Sequence, residues 1–228
     1  MNKQLQKSTA AALCLALAFA AWTALVCLVD VQAIGPRGST VGLATLNGAF
    51  HRLSGIHMTL YHVTDWLGLV PIGTALAFAV LGLVQWIGRK RLLSVDRSLF
   101  ALGAFYLLVI GAYALFEYVV INRRPVLIEG YLEASYPSST TLLVACVMPT
   151  AWMQLRDRVA HTHLRCLVSV LLWGFTLFTV IGRLVSGVHW LSDIVGGLLL
   201  SGALVAFYVR TAYGADQEKE EKHPCRGG

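Results

Sequence analysis

His189 and Asp193 stand four residues apart in the string Gly187-Val-His-Trp-Leu-Ser-Asp193. On a helix that spacing puts both side chains on one face. A carboxylate that accepts from one imidazole nitrogen fixes the tautomer and leaves the other nitrogen free to attack an electrophile. Arg183 lies six residues before His189, and Gly187 between them permits a turn that folds the guanidinium back toward the ring. Two further segments carry groups suited to the same chemistry. Arg123 and Arg124 precede Pro125, and a planar guanidinium matches phosphoryl oxygens through paired hydrogen bonds. Pro137 is followed by Ser138, Ser139, Thr140 and Thr141. That is the composition of a helix start whose hydroxyls cap free N–H groups and whose N–H groups attract anions. Taken singly, each segment has an ordinary structural explanation: a histidine beside a helix end, an arginine anchored to lipid headgroups, a capped helix. Together they describe a nucleophile, its orienting carboxylate and a grip for phosphate.

The elements that must position these groups are transmembrane helices. Of 228 residues, 57% are hydrophobic and 13% charged, where a soluble domain carries about a quarter charged. The apolar residues sit in long blocks, as in helices that satisfy their own backbone in lipid. The alternating ten-residue segments of a membrane barrel do not occur. The first block, 8–31, is long enough to span and is read as an uncleaved helix rather than a signal peptide. Residues 41–61 are mixed and fit an amphipathic interfacial helix. Further spans are expected near 63–88, 98–121, 138–155, 164–182 and 189–210. The whole reads as an all-α bundle of about six transmembrane helices, one domain over 1–212, followed by a charged, disordered tail over 213–228. Asp65 opens the second expected span as a helix cap, with pairing to an arginine as the alternative.

With the N-terminus inside, the cytoplasmic segments hold Lys3, Lys7, Arg89, Lys90, Arg91, Arg97, Arg156, Arg158, Arg165, Arg210, Lys219, Lys222 and Arg226, thirteen of the eighteen basic residues. The positive-inside rule then places both termini in the cytoplasm and the three chemical segments on the outer face. The net charge of +6 resides in these loops rather than in a basic stripe interleaved with aromatics, so no nucleic-acid partner is expected. The five cysteines show no metal spacing, and the four in or beside apolar runs read as small buried hydrophobes rather than disulfides.

The three segments resemble, in order and spacing, the signature of the type 2 phosphatidic acid phosphatase superfamily: Lys, six residues, Arg-Pro; then Pro-Ser-Gly-His; then Ser-Arg, five residues, His, three residues, Asp. Arg124-Pro125, Pro137-Ser138, Arg183, His189 and Asp193 match it, and the likeness extends over about 60–210. The resemblance implies that His189 attacks phosphorus to form a phosphohistidine. Asp193 would orient it, and Arg124 and Arg183, with Ser138, Ser139, Thr140 and nearby backbone N–H groups, would hold the phosphoryl oxygens. It implies no metal and no cofactor. Three positions depart from the pattern: Glu117 stands for the Lys, Ser139 and Thr140 for the Gly-His pair, and Gly182 for the Ser. The family's second-motif His protonates the leaving oxygen, a contribution of about 10²–10⁴-fold, and Thr140 is a poor substitute. Three outcomes are open: Glu117 or one of His51, His57 and His62 supplies the proton, or the substrate is a lipid pyrophosphate whose leaving group needs little help, or hydrolysis is lost. The expected activity is thus hydrolysis or transfer of a phosphoryl group on a lipid phosphate or polyprenyl pyrophosphate at the outer leaflet of a bacterial cytoplasmic membrane, the site facing periplasm or exterior. The alternative is a non-hydrolytic lipid-phosphate binding or transport protein on the same fold. Nothing in the chain specifies an oligomeric state.

Overall fold

The computed structural model describes residues 3–91, 94–156 and 158–222, with side chains from 8 to 213 inside those ranges. The described residues form eight α-helices: α1 (Lys3–Leu28), α2 (Ala44–Ser54), α3 (Met58–Leu67), α4 (Leu69–Arg89), α5 (Arg97–Tyr118), α6 (Ser139–Arg156), α7 (Thr162–Val185) and α8 (Leu191–Lys222). The chain is an all-α membrane bundle. Five stretches are long and apolar enough to cross a bilayer, namely 8–28, 58–89, 97–118, 162–185 and 191–213. The sixth expected span, α6, is not among the five, and burial explains why. Ten of its 18 residues are buried, so its polar side chains, Thr141, Thr150 and Gln154, meet protein rather than lipid.

Around α6 the bundle packs through Leu99, Leu102, Phe105 and Val109 of α5, Leu142 and Cys146 of α6, and Tyr208 of α8. α1 packs along α8: Trp22 Nε1 donates to the Ser192 carbonyl at 3.0 Å, and Thr23 Oγ1 lies 2.7 Å from the Tyr136 hydroxyl. The end of the bundle away from the three motifs is closed by a polar network. Asp96 pairs with Arg89 at 3.0 Å and Arg158 at 3.6 Å and accepts from Gln85 at 2.8 Å, while Gln154 donates to the Tyr208 hydroxyl at 2.7 Å. Hydrogen bonds from Gln85 and Arg89 hold the Asp96 carboxyl below the usual carboxylate range.

Several expectations change. The mixed segment 41–61 is not one helix: α2 ends at Ser54, Gly55 turns the chain with φ +69, and α3 begins at Met58. Asp65 therefore falls in the last turn of α3 and is no helix cap. Gly68 separates α3 from α4 while still donating to the Thr64 and Asp65 carbonyls at 3.1 and 2.9 Å, so the two read as one crossing stretch. Of the cysteines, Cys146 is buried, whereas Cys14, Cys27 and Cys166 are free and exposed. α8 continues to Lys222, and residues 223–228 of the expected tail lie outside the described residues.

Between α5 and α6 the chain makes an antiparallel hairpin over 122–135. Arg124 N donates to the Glu133 carbonyl at 3.1 Å, Ser135 N to the Asn122 carbonyl at 2.9 Å, and Ile128 and Tyr131 exchange bonds at 3.0 and 2.8 Å. Its tip uses Glu129 and Gly130, both at positive φ (49 and 84), as a two-residue hairpin turn requires. This hairpin covers the end of the bundle at which α5 stops and α6 and α8 begin.

Candidate active site

His189 lies in the turn between α7 and α8, 2% exposed, and Asp193 in the first turn of α8, 0% exposed. The turn depends on Gly187, whose φ of +70 is left-handed and whose place leaves no room for a Cβ: one built there would lie 1.9 Å from the Gly55 carbonyl oxygen. His57 N donates to the Ser186 carbonyl at 2.9 Å, and the Gly187 carbonyl lies 3.1 Å from His51 Nε2. The linker 55–57 and α2 thus brace the turn that carries the imidazole.

The two partners expected to touch directly do not. His189 Nδ1 and Asp193 Oδ2 are 3.8 Å apart, beyond hydrogen-bonding distance. Ser135, from the base of the hairpin, stands between them. Its Oγ is 3.1 Å from His189 Nδ1 and donates to Asp193 Oδ2. The same carboxylate also accepts from Trp190 N at 2.9 Å, Asn122 Nδ2 at 3.3 Å and Ser192 Oγ at 3.4 Å. Asn122 and Ser192 are themselves held: Asn122 Oδ1 accepts from Gly42 N at 3.2 Å, and Asn47 donates to Ser192 Oγ at 2.9 Å. The carboxylate is therefore clamped by α8, the hairpin and the segment before α2.

The other imidazole nitrogen faces a cation. Arg183 Nη2 lies 3.4 Å from His189 Nε2. A guanidinium can only donate, so Nε2 presents its lone pair, Nδ1 carries the proton, and that proton points to Ser135. Burial, and then the charges of Arg124 and Arg183, hold the imidazole well below its usual pKa range. That shift favours the neutral ring.

Arg183, 1% exposed, pairs through Nη1 with Asp65 Oδ1 at 3.3 Å. The alternative reading of Asp65, pairing with an arginine, is thus the observed one. Arg124, 7% exposed, lies with Nε 3.0 Å from Glu133 Oε2, while its Nη1 makes no hydrogen bond. A cavity of about 210 Å³ opens beside these groups, walled by Arg124, His189, Ser135, Ser139, Glu117 and Glu133, with Tyr113, Phe116 and Tyr136 at its apolar margin. Burial pushes the Tyr136 hydroxyl up to about 12, so this phenol stays protonated.

The residues singled out from the sequence are distributed unevenly. His189, Asp193, Arg183 and Arg124 converge. Ser139 and Glu117 stand on the cavity wall. Ser138 is wholly buried; its N–H is taken by the Asp193 carbonyl at 3.0 Å and its Oγ has no partner. Thr140 does not line the cavity and points toward Gly68 instead, its Cγ2 3.8 Å from where a Cβ there would sit. His57 is exposed and off the cavity wall, its Nε2 2.9 Å from the Ser54 carbonyl. His51 packs against Trp190 with ring centroids 5.4 Å apart and the rings tilted by 49°. Ser135, Asn122, Tyr61 and Glu133 were not anticipated. Ser135 and Asn122 are ordinary loop residues by sequence, and only their place in the hairpin gives them a role.

Comparisons with known proteins bear on the sequence of this region and on the fold. Residues 113–216 match the model of the PAP2 superfamily. The fold is similar to the crystal structure of a transmembrane PAP2-type phosphatidylglycerolphosphate phosphatase from Bacillus subtilis, with a TM-score of 0.54 and 21% identity over 91% of this chain and 96% of that one. No curated protein matches the chain. The matched region, 113–216, holds the hairpin, Arg124, Arg183, Ser135, His189 and Asp193.

Proposed function

We propose that the protein is an integral-membrane lipid phosphatase or phosphotransferase that works through a phosphohistidine on His189. One observation carries this reading: a buried imidazole, anchored through Ser135 to Asp193, turns its unprotonated nitrogen toward Arg183 and lines a polar cavity together with Arg124. A protein that only binds or moves anionic lipids needs the arginines but not an oriented lone pair, so the relay argues for chemistry.

The substrate phosphoryl group enters between Arg183, Arg124 and His189 Nε2. The unpartnered Arg124 Nη1 and the Ser139 hydroxyl meet its oxygens, and the two fixed guanidiniums stabilise the charge that grows on them as the bond to the lipid oxygen breaks. Nε2 forms the N–P bond as that P–O bond cleaves. The charge acquired by the imidazole is relieved through Nδ1–H, Ser135 and Asp193. Water then attacks phosphorus, the N–P bond breaks, and phosphate leaves.

Proton delivery to the leaving oxygen decides the substrate class. Thr140 is turned away from the cavity, and His51, His57 and His62 do not line it. Among the acids named from the sequence, Glu117 alone reaches the wall. A pyrophosphate departs as a phosphate monoester anion and needs little protonation, whereas an alkoxide needs much. A polyprenyl pyrophosphate therefore suits this site better than phosphatidic acid. The excess of basic residues at the opposite end of the bundle supports a site on the outer side of the membrane with both termini in the cytoplasm, and the helices through residue 212 act as one membrane domain.

The test is phosphate release from a panel of lipid phosphates and pyrophosphates by wild type and His189→Ala. Turnover that vanishes in the variant, with pyrophosphates leading the panel, supports the proposal. Turnover that survives in the variant refutes the nucleophile, and faster release from phosphatidic acid refutes the substrate class.

A further inference from the structure

Two buried like charges must be held beside one another before any phosphate arrives, and α3 supplies the means. The ring of Tyr61, 6% exposed, is within reach of both guanidiniums: its centroid is 4.9 Å from Arg183 Cζ and 5.9 Å from Arg124 Cζ. Aromatic faces attract cations at such distances, more strongly when water is excluded. One helical turn on, Asp65 reaches Arg183 Nη1 at 3.3 Å. Tyr61 and Asp65 are four residues apart on α3 and so act from the same face.

The approach of α3 to α7 has its own requirement. A Cβ on Gly182 would lie 2.6 Å from Thr64 Cγ2 and 3.6 Å from Leu60 Cδ1. Gly182 is the residue that departs from the Ser-Arg of the resembled pattern. Its missing side chain is what lets α3 sit close enough to touch Arg183, the next residue. The departure and the aromatic clamp are two parts of one arrangement.

We infer that Tyr61 and Asp65 are positioning residues that set Arg124 and Arg183 for a phosphate ligand, and that Gly182 is required because it admits α3 to that position. The inference rests on the phosphate-handling reading above, but it concerns binding, which needs the arginines and not the nucleophile. Inorganic phosphate is therefore the probe, titrated by calorimetry into purified full-length protein in detergent, with KM and kcat followed alongside.

Tyr61→Leu weakens phosphate binding about tenfold and raises KM more than it lowers kcat. Tyr61→Phe, which keeps the ring face and loses the hydroxyl, restores binding to within about twofold of wild type. Gly182→Ala weakens binding to a similar degree, and adding Thr64→Ser, which removes only the clashing Cγ2, recovers it. Tyr61→Leu binding phosphate like wild type would overturn the inference. So would Tyr61→Phe failing as badly as Tyr61→Leu, because the hydroxyl rather than the ring would then be the agent, or Thr64→Ser failing to rescue Gly182→Ala. The expected binding pattern in a protein without turnover would sustain the clamp and refute the phosphatase reading. Wild type that binds no phosphate would overturn both.

Discussion

Replacing Ser135 with Ala tests the relay at its least expected member. The variant deletes one oxygen and leaves the direct approach of His189 Nδ1 to Asp193 Oδ2 at 3.8 Å, too long for a hydrogen bond. Asp193 keeps its bonds from Trp190 and Asn122, so the carboxylate stays in place while the imidazole loses its anchor. A hydrogen bond to a charged group contributes about 1.5–3 kcal/mol. The imidazole becomes charged only as Nε2 bonds to phosphorus, so that amount is withdrawn chiefly from the transition state. It corresponds to a fall in kcat of about ten- to 150-fold, with KM little changed because the arginines are untouched. The assay is steady-state release of phosphate from a lipid pyrophosphate, with calorimetric phosphate binding as the control. Ser135 and Asp193 act as one unit, so Asp193→Ala and the double variant with Ser135→Ala should differ by less than about threefold. Ser135→Ala within threefold of wild type would refute the reasoning, as would losses that simply multiply in the double variant. Either result would mean that Asp193 reaches the ring without the serine.

Other outcomes follow from the same geometry. Glu117→Gln should slow hydrolysis of lipid phosphate monoesters by about 10²-fold or more while sparing pyrophosphates; equal losses on both would remove Glu117 as the proton source. Glu133→Gln frees Arg124 from a competing, half-exposed carboxylate, an ion pair of about 0.2–1 kcal/mol, so KM should fall by roughly one and a half- to fivefold, and a rise would show that Glu133 helps to hold substrate. Nitrogen-resolved NMR of labelled histidines should find His189 neutral with its proton on Nδ1 as pH falls through the ordinary imidazole value of about 6.5; protonation at that pH would contradict the burial argument. At the far end of the bundle, the Asp96 carboxyl lies below its usual range when folded, so its contribution is present above the unfolded pKa and is lost as pH falls through the folded one. Asp96→Asn should lower the melting temperature slightly near neutral pH, and the difference should shrink below about pH 4.

Much of the fold could be read from the order of apolar blocks because membrane helices announce themselves one at a time. The blocks near 98–121 and 164–182 became Arg97–Tyr118 and Thr162–Val185. The polar start of the fourth block, Ser138-Ser-Thr-Thr141, also marked the beginning of α6. The break between α2 and α3 was hidden because Gly55 lies in a mixed stretch where neither period dominates. The hairpin was hidden because Glu129-Gly130 is a weaker turn signal than Asn-Gly. In the site, His189, Asp193, Arg124 and Arg183 were legible from type and spacing. Ser135 was not, because its role comes from lying 54 positions from His189 and 58 from Asp193 in the chain, a pairing that no local pattern records. Nothing local marks Tyr61 either, since its contacts with two cations arise only when α3 meets both α7 and the hairpin. Of the hydroxyl run, Ser139 alone faces the cavity, since a helix start fans successive side chains outward.

The enclosed position of α6 bears on how the chain is made. Five stretches are long and apolar enough to cross a bilayer. α6 is not, because the hydroxyls, the amide and Pro149 that suit it to the interior of a protein count against it in hydrocarbon. Its packing partners are α4 and α5, made before it, and α7 and α8, made after it, and His189 and Asp193 arrive only with the later pair. The burial of α6 and the meeting of Ser135 with His189 and Asp193 are thereby both completed only once α7 and α8 have been made.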